Sequence, residues 1–355
     1  MTGRTFPTAG GIVDAVSGTR LDSPVRLALL PGWLTLVIVS VAVSVLGSNI
    51  PLSIQLLPLF VSALLLGLPH GAVDHLVAPR AKGTGLTARS MAEVGVVYAL
   101  LGGAYAILWF LSPVVAFVFF ILLTWFHWGQ GDVHPLREIV GADHVRGFGG
   151  TALTALVRGG APMLVPLVAF PGEYRRVAGW IVGVVDPGAV SALDPVFTAE
   201  TRLIVGLGYG LLVVATLAIG RIRASNYRGW RIDAAETLLL VLFFTTVPPL
   251  LAIGLYFCFW HSLRHIVRYL LLDDDIETAI SRGAVRRPIV QFTRDALPLT
   301  LLALVFGVGF AAFLPEASID PESLMGVYLV FIAVLTLPHV AFVSLLDHYD
   351  GFWGQ

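Results

Sequence analysis

Four of the nine histidines in this chain lie inside long apolar stretches, where ionisable side chains are rare. They are His70 in GLPHGAVDH, His127 in TWFHWGQGD, and His261 and His265 in FWHSLRH. An ionisable side chain at membrane depth is costly without a partner, so such residues indicate a functional site. Neutral imidazoles that converge are typical ligands of a transition metal. The sequence therefore predicts a metal centre built from histidine.

The spacing of these histidines favours one shared site. His261 and His265 are four positions apart, which is about 400° of helical rotation, so both lie on one helix face. If successive helices alternate in direction, the four histidines and His339 all lie about 16 to 27 Å along their helices and can share one layer. A lone intramembrane histidine is more often a helix-packing residue. Several at one depth favour metal binding instead.

Further polar residues near the four histidines are candidates to support the metal. Asp74 and Asp132 follow two of the histidines by four and five residues. Metal-bound imidazoles commonly donate their second N–H to a carboxylate, so these aspartates are candidate acceptors; they are equally typical of charges at helix ends. His75 and His339 stay open as additional ligands. Arg158 is the only cation well inside a predicted span, where it can pair with a carboxylate.

Aromatic residues flank two of the histidines. They are Trp125, Phe126, Trp128, Tyr256, Phe257 and Trp260. Aromatic side chains beside a metal can line a tunnel for a flat, conjugated apolar ligand. They are also common in helix packing and at membrane interfaces, and the sequence leaves both interpretations open.

The composition identifies the elements that position these residues as membrane helices. Of the 355 residues, 57% are hydrophobic and 13% are charged, against about 25% charged in soluble domains. The net charge of −1 and the single lysine argue against binding to nucleic acid. Cys258 is the only cysteine, which excludes an intrachain disulfide and a multi-thiolate metal site.

Apolar runs predict an all-α, polytopic membrane bundle of about ten helices, since about 20 residues cross the hydrocarbon layer. The predicted spans are 27–48, 52–72, 91–111, 114–134, 148–170, 203–220, 233–248, 250–270, 296–314 and 324–346. Pro248 and Pro249 interrupt the apolar run between the seventh and eighth spans, so eight to ten helices are allowed.

Arginine placement and composition predict the orientation and the domains. Arginines collect before span one and after the even-numbered spans, which places both termini in the cytoplasm. Residues 1–25 form a polar cytoplasmic segment without a cleaved signal-peptide pattern. Residues 26–348 form a single transmembrane catalytic domain, in which 171–202 is an extramembrane or interfacial loop. Residues 349–355 are a short tail.

Histidine ligands alone do not identify the metal, because imidazole suits iron, zinc, copper and nickel. Four neutral ligands can leave a coordination position for dioxygen, so an oxygen-using iron enzyme fits best. The HExxH pattern of many zinc hydrolases is absent from the sequence. The alternatives are a haem-binding or proton- or ion-carrying membrane protein that uses the same histidines, and a transporter.

Four segments resemble the Brp/Blh family of β-carotene 15,15'-dioxygenases: GLPHGAVDH at 67–75, FHWGQGD at 126–132, WHSLRH at 260–265 and LPH at 337–339. The likeness extends from about residue 60 to 348. It implies a prokaryotic enzyme, multi-pass in the cytoplasmic membrane, that cleaves the central double bond of β-carotene with O2. The product, two retinal molecules, would serve a microbial rhodopsin. The resemblance also implies a non-haem Fe(2+) held by His70, His127, His261 and His265.

Overall fold

The structure is a computed structural model that describes residues 23–81 and 83–349. Predictions for the N-terminal segment before residue 23, for Lys82 and for the tail after residue 349 lie outside the described residues. The helices, numbered in chain order, are α1 Ser23–Leu46, α2 Leu52–Ala81, α3 Ala88–Leu111, α4 Pro113–Ile139, α5 Gly147–Ala169, α6 Pro171–Gly183, α7 Ala199–Arg223, α8 Tyr227–Thr246, α9 Pro249–Leu270, α10 Asp274–Ser281, α11 Arg286–Ala311 and α12 Pro321–Tyr349.

The prediction of an all-α polytopic membrane bundle is confirmed. Within the described residues there is no β-strand, and nine helices are long and apolar enough to cross a membrane. α8 is not among the nine; it has 20 residues and carries four charges, at Arg228, Arg231, Asp233 and Glu236. The predicted break at Pro248 and Pro249 occurs, because α8 ends at Thr246 and α9 begins at Pro249.

The segment 171–202, expected to be a loop, is largely helical. Pro171 begins α6, where its fixed φ suits the first helical turn. A 3-10 segment, Pro187–Phe197, then begins at the cap Asp186, whose side chain accepts a hydrogen bond from the Gly188 amide. Prolines and glycines among apolar residues suggested a loop, but the apolar residues of α6 pack into the bundle and keep the segment ordered.

The outward faces of the helices are apolar. Ile38 of α1, Leu211 of α7 and Val305 of α11 are 61%, 71% and 69% exposed. Large aliphatic side chains exposed in continuous rows are unfavourable in water but match a hydrocarbon surrounding. Polar residues in the interior of the spans, among them His70, His127, His261 and Arg158, are buried instead.

Helices α4 and α5 pack with their backbones in close contact beside the predicted metal centre. A Cβ atom added at Gly129 would lie 2.1 Å from the carbonyl oxygen of Ala155, and one added at Gly159 would lie 1.9 Å from that of Trp125. Both distances are far too short for any carbon atom, so only glycine permits this approach. The close packing fixes the helix that carries His127.

We predict that Gly159→Ala forces α4 and α5 apart and destabilises the protein by about 1–3 kcal/mol, the usual cost of overpacking. Thermal unfolding in detergent measures the effect as a lower midpoint. The control is Gly208→Ala on α7, where an added Cβ meets no atom within 4 Å and alanine favours the helix. Equal midpoints for the two variants would contradict the packing argument.

Candidate metal centre

Two of the helices that carry the histidines, α2 and α9, are widened near these residues into π-helical turns. In α2 the π segment Ser62–Leu66 precedes His70, and in α9 the π segment Tyr256–Ser262 contains His261. Such turns insert one residue and re-aim the side chains that follow, and they are frequent at functional sites. They bring α2 and α9 together: a Cβ at Gly67 would lie 2.7 Å from the Phe257 ring.

Five histidine rings meet in the interior, and we name them the histidine cluster: His70, His127, His261, His265 and His339. The ring centroids of His127 and His261 are 4.8 Å apart, and those of His261 and His265 are 4.5 Å apart. His339 lies 4.9 Å from His70 and 4.8 Å from His127. Histidines far apart in sequence therefore lie side by side.

The nitrogen atoms of this cluster are suited to hold a metal ion. Within the described part of the chain, the Nε2 atoms of all five histidines are buried and have no hydrogen-bond partner. Ligand atoms of His70, His127 and His261 lie within 4.8 Å of one another. Nitrogens bound to one ion at about 2.1 Å are at most about 4.2 Å apart, so movements of a few tenths of an ångström complete the geometry.

His265 and His75 occupy different positions from these three. His265 belongs to the ring cluster, but its nitrogens are outside the group that lies within 4.8 Å. Its Nε2 packs against Gly131, where a Cβ would lie 2.6 Å away. The His75 Nδ1 lies 2.9 Å from the Ala72 carbonyl oxygen, in the hydrogen bonding of its own helix.

Asp74 contacts His339, on α12, rather than the nearby His70. The His339 Nδ1 lies 2.9 Å from an Asp74 oxygen, and Tyr98 donates to the same oxygen at 2.6 Å. A carboxylate only accepts, so His339 donates from Nδ1 and its Nε2 keeps a lone pair directed at the cluster. This arrangement of carboxylate and imidazole is common behind metal ligands. Sequence reasoning did not find Tyr98, which carries no nearby motif.

Two arginines and three carboxylates form a buried ionic cluster next to the histidines. Arg158 lies 2.7 Å from Asp233, 2.9 Å from Glu236 and 3.4 Å from Asp132. Arg264 lies 3.1 Å from Asp132 and 2.8 Å from Glu236. Buried charges are tolerated only when they are paired in this way.

This ionic cluster joins five helices. Trp33 of α1 donates to Glu236 of α8, and Trp260 of α9 donates to Asp132 of α4 at 2.7 Å. Arg158 reaches the cluster from α5. Asp132, expected as an acceptor for His127, therefore has other donors, and both ring nitrogens of His127 are without a hydrogen bond in the described residues. The sequence signal for this ionic cluster was Asp233 and Glu236, two carboxylates in an apolar run, and it was overlooked.

A cavity of about 850 Å³ extends from the histidine cluster through the bundle. Its walls are almost entirely aliphatic and aromatic, and the polar groups that reach it include His70, His127, His261 and His339. Trp128 and Phe257 line it beside the histidines, with their rings 5.9 Å apart. A large apolar space that ends on a few convergent polar groups is typical of a ligand site.

Of the six aromatic residues predicted to line a tunnel, two line this cavity, Trp128 and Phe257. Trp125, Phe126, Tyr256 and Trp260 do not line this cavity among the described residues. Each step along a helix turns the side chain by about 100°, so Phe126 and Trp260, which directly precede a histidine, point away from it, whereas Phe257, four positions before His261, shares its face. Trp125 instead donates to the Leu156 carbonyl oxygen at 2.8 Å.

One side of the cavity opens toward the outer surface between α3 and α11. Leu302 and Phe306 of α11 line the cavity although they are 47% and 63% exposed. Gly95 and Ala99 of α3 are likewise exposed cavity-lining residues. We call this opening the mouth. Because these surfaces are apolar, the mouth faces the hydrocarbon layer that surrounds the helices.

Comparison with known proteins finds relatives that match most of the membrane part of the chain. A family model described as Beta-carotene 15,15'-dioxygenase matches residues 61–347. The chain is 42% identical over 92% of its length to the probable beta-carotene 15,15'-dioxygenase Blh of Halobacterium salinarum, covering 94% of that protein. It is 30% identical over 86% to the probable enzyme Brp of the same species, covering 88% of it.

A more distant relative carries the same description. The beta-carotene 15,15'-dioxygenase of uncultured marine bacterium 66A03 is 22% identical over 79% of this chain and 90% of its own length. No solved structure matches the chain.

We predict that Arg158→Met destabilises the protein by about 3–5 kcal/mol, because three buried carboxylates are then left with one arginine. Methionine keeps most of the side-chain volume, so the effect isolates the charge. The control is Arg89→Met on α3, where Arg89 and its partner Glu93 are 89% and 64% exposed and contribute little. A wild-type unfolding midpoint for Arg158→Met would contradict the role of the ionic cluster.

Proposed function

The chain belongs to the beta-carotene 15,15'-dioxygenase family, and from this premise we propose that it cleaves the central double bond of β-carotene with O2. The reaction breaks one C=C bond and forms two C=O bonds. One β-carotene and one O2 thus balance two retinal molecules, with no other reactant. The observation that carries this proposal is the apolar cavity that ends on unpaired imidazole nitrogens.

The proposed cofactor is Fe(2+), held by His70, His127, His261 and His265. The support is the donor set: Nε2 atoms that are buried and have no hydrogen-bond partner in the described residues. His339 is a further candidate ligand, since its Nε2 faces the same space. Bound iron supplies the redox chemistry that lets O2 react with a closed-shell alkene.

The side chains around this centre bind and orient the substrate. Trp128 and Phe257 provide flat apolar surfaces beside the histidines, where a conjugated chain can stack. The aliphatic walls exclude water. Asp74 holds His339 in one tautomer, because it accepts a hydrogen bond from the Nδ1–H group. Rigid placement of the reacting bond is the main contribution of such side chains to the rate of the reaction.

The substrate reaches the site from the lipid phase, because a long hydrocarbon gains nothing by crossing water. The mouth between α3 and α11 is the proposed path. The product retinal leaves by the same apolar route and is passed to a microbial rhodopsin. The proposed location is the cytoplasmic membrane, with ten passes when α8 is included, so that both termini lie on one side; the arginine placement assigns that side to the cytoplasm. The residues from 26 to 348 then form one catalytic domain.

The proposed function is tested by expression in a β-carotene-producing bacterium. We expect the cells to lose their orange colour and to accumulate retinal, measured by chromatography. His261→Ala should abolish retinal formation and lower the bound iron, measured by elemental analysis. His348→Ala, an exposed histidine near the end of α12, is the matched control. Retinal and iron at wild-type amounts in His261→Ala would overturn the ligand assignment.

The same purified protein separates the proposal from the haem alternative. A haem held by these histidines gives an intense Soret absorption, whereas a ferrous ion with imidazole ligands is nearly colourless. An intense Soret band with no retinal formation would favour a haem carrier.

We predict that Asp74→Asn reduces iron affinity or activity by about 10- to 100-fold, the usual effect of removing a carboxylate behind a metal-binding imidazole. Iron retained during competition with a chelator measures the affinity. The control is Asp275→Asn, because Asp275 is exposed and far from the cavity in an ion pair with Arg287. Unchanged iron retention in Asp74→Asn would show that the contact does not position His339 for metal binding.

A further inference from the structure

The part of the cavity that runs from the histidine cluster to α6 has a nearly uniform depth, and we name it the closed arm because α6 ends it. On α4, α9 and α12 the lining starts at Phe117, Pro249 and Leu329, before the histidine of each helix, and of the lining residues on these helices only Trp128 follows its histidine. These positions precede their histidines by ten to twelve residues, which is about 15–18 Å of helix. On each of these three helices the lining continues for at most one residue after the histidine.

Helix α6 closes the far end of this arm. Val177, Ala178 and Ile181 line the cavity, and Ala178 and Ile181 are only 1% and 4% exposed. α6 is fixed against α12, because a Cβ at Gly326 would lie 2.5 Å from the Trp180 carbonyl oxygen. The end wall is therefore firmly held in place.

The depth of the closed arm matches half of a β-carotene molecule. An extended chain advances about 1.2 Å per bond, as a polypeptide advances about 3.5 Å over three bonds. Nine bonds separate the central double bond from each ring, which gives about 11 Å, and the ring adds about 4 Å. The half-molecule is thus about 15 Å long, close to the length of lining that precedes the histidines on α4, α9 and α12.

We infer that one half of the substrate fits the closed arm. A ring stops against Val177, Ala178 and Ile181, and this contact places the central double bond at the histidine cluster. The inference rests on the proposed function and extends it. It assigns the choice of the cleaved bond to residues of α6, at the far end of the closed arm from the histidine cluster. These are positioning residues, since they do not contact the bond that breaks.

The other half of the substrate has no comparable stop. It occupies the cavity near the mouth, where lining residues such as Leu302 and Phe306 are themselves exposed to lipid. A hydrocarbon chain has almost the same environment in the mouth as in the bilayer, so the position of its end is not fixed there. Only the closed arm can therefore determine the register.

The test is to change the depth of the closed arm and identify the products from β-carotene by chromatography and mass spectrometry. Val177→Phe shortens the arm and Ile181→Ala lengthens it. We expect retinal formation to fall by about 10- to 100-fold in each, since a few methyl groups in an apolar pocket discriminate to that extent. A pair of unequal apocarotenals, together containing 40 carbons, should replace it.

The control is Val196→Phe, because Val196 is 39% exposed on the 3-10 segment and does not line the cavity. It should yield retinal alone, as the wild type does. If wild-type protein yields no retinal, the proposed function fails. If wild-type protein yields retinal and Ile181→Ala yields only retinal, the inference is overturned, whether or not Val177→Phe is active.

A shortened substrate tests the same inference without any mutation. β-Apo-8'-carotenal keeps one complete ring-bearing half and lacks the other ring. If only the closed arm sets the register, wild-type protein should cut it at the 15,15' bond and release retinal from the complete half. Cleavage of this substrate at a different bond would show that both halves determine the register, and would overturn the inference.

Discussion

Unpaired imidazole nitrogens in a hydrocarbon interior are the constraint on which this structure depends. Five buried Nε2 atoms have no hydrogen-bond partner within the described residues, and each such group costs about 1–3 kcal/mol if nothing satisfies it. Helix packing alone would pair these atoms with carbonyl or hydroxyl groups. A ligand shared by several imidazoles satisfies them together. The π turns and the glycines at 67 and 131 serve this end, because they let the histidine-bearing helices approach.

The buried charges complement this centre without belonging to it. Neutral imidazoles leave a divalent ion uncompensated, yet the surrounding interior is acidic on balance. The ionic cluster has one more carboxylate than arginine, and Asp74 adds another behind His339. In a medium of low dielectric constant these charges act over several ångströms. The same cluster holds α4, α5, α8 and α9 in register, so the stability of the helix bundle and the electrostatic potential at the histidines arise from one set of residues.

The depth and spacing of the histidines were sufficient to predict that they meet, because helical rise and rotation are fixed by the backbone. The i,i+4 relation of His261 and His265 is of this kind. The partners of Asp132 were not predictable, since Arg158 and Arg264 reach it from helices that a sequence does not place beside α4. Phe126 and Trp260 misled for a physical reason: each directly precedes a histidine, and that spacing turns its side chain about 100° away from the face of the histidine.

An asymmetric cavity can perform a symmetric cleavage because β-carotene is itself symmetric about its central bond. Either ring can lead, and once one half fills the closed arm the position of the midpoint follows, whatever happens to the other half. The bundle therefore needs a firm wall on one side only, and this wall is α6 packed on α12. The opposite side is free to remain open between α3 and α11. An enzyme that acts on a membrane-dissolved substrate gains from this division, since the side that admits a long hydrocarbon cannot also be the side that stops it.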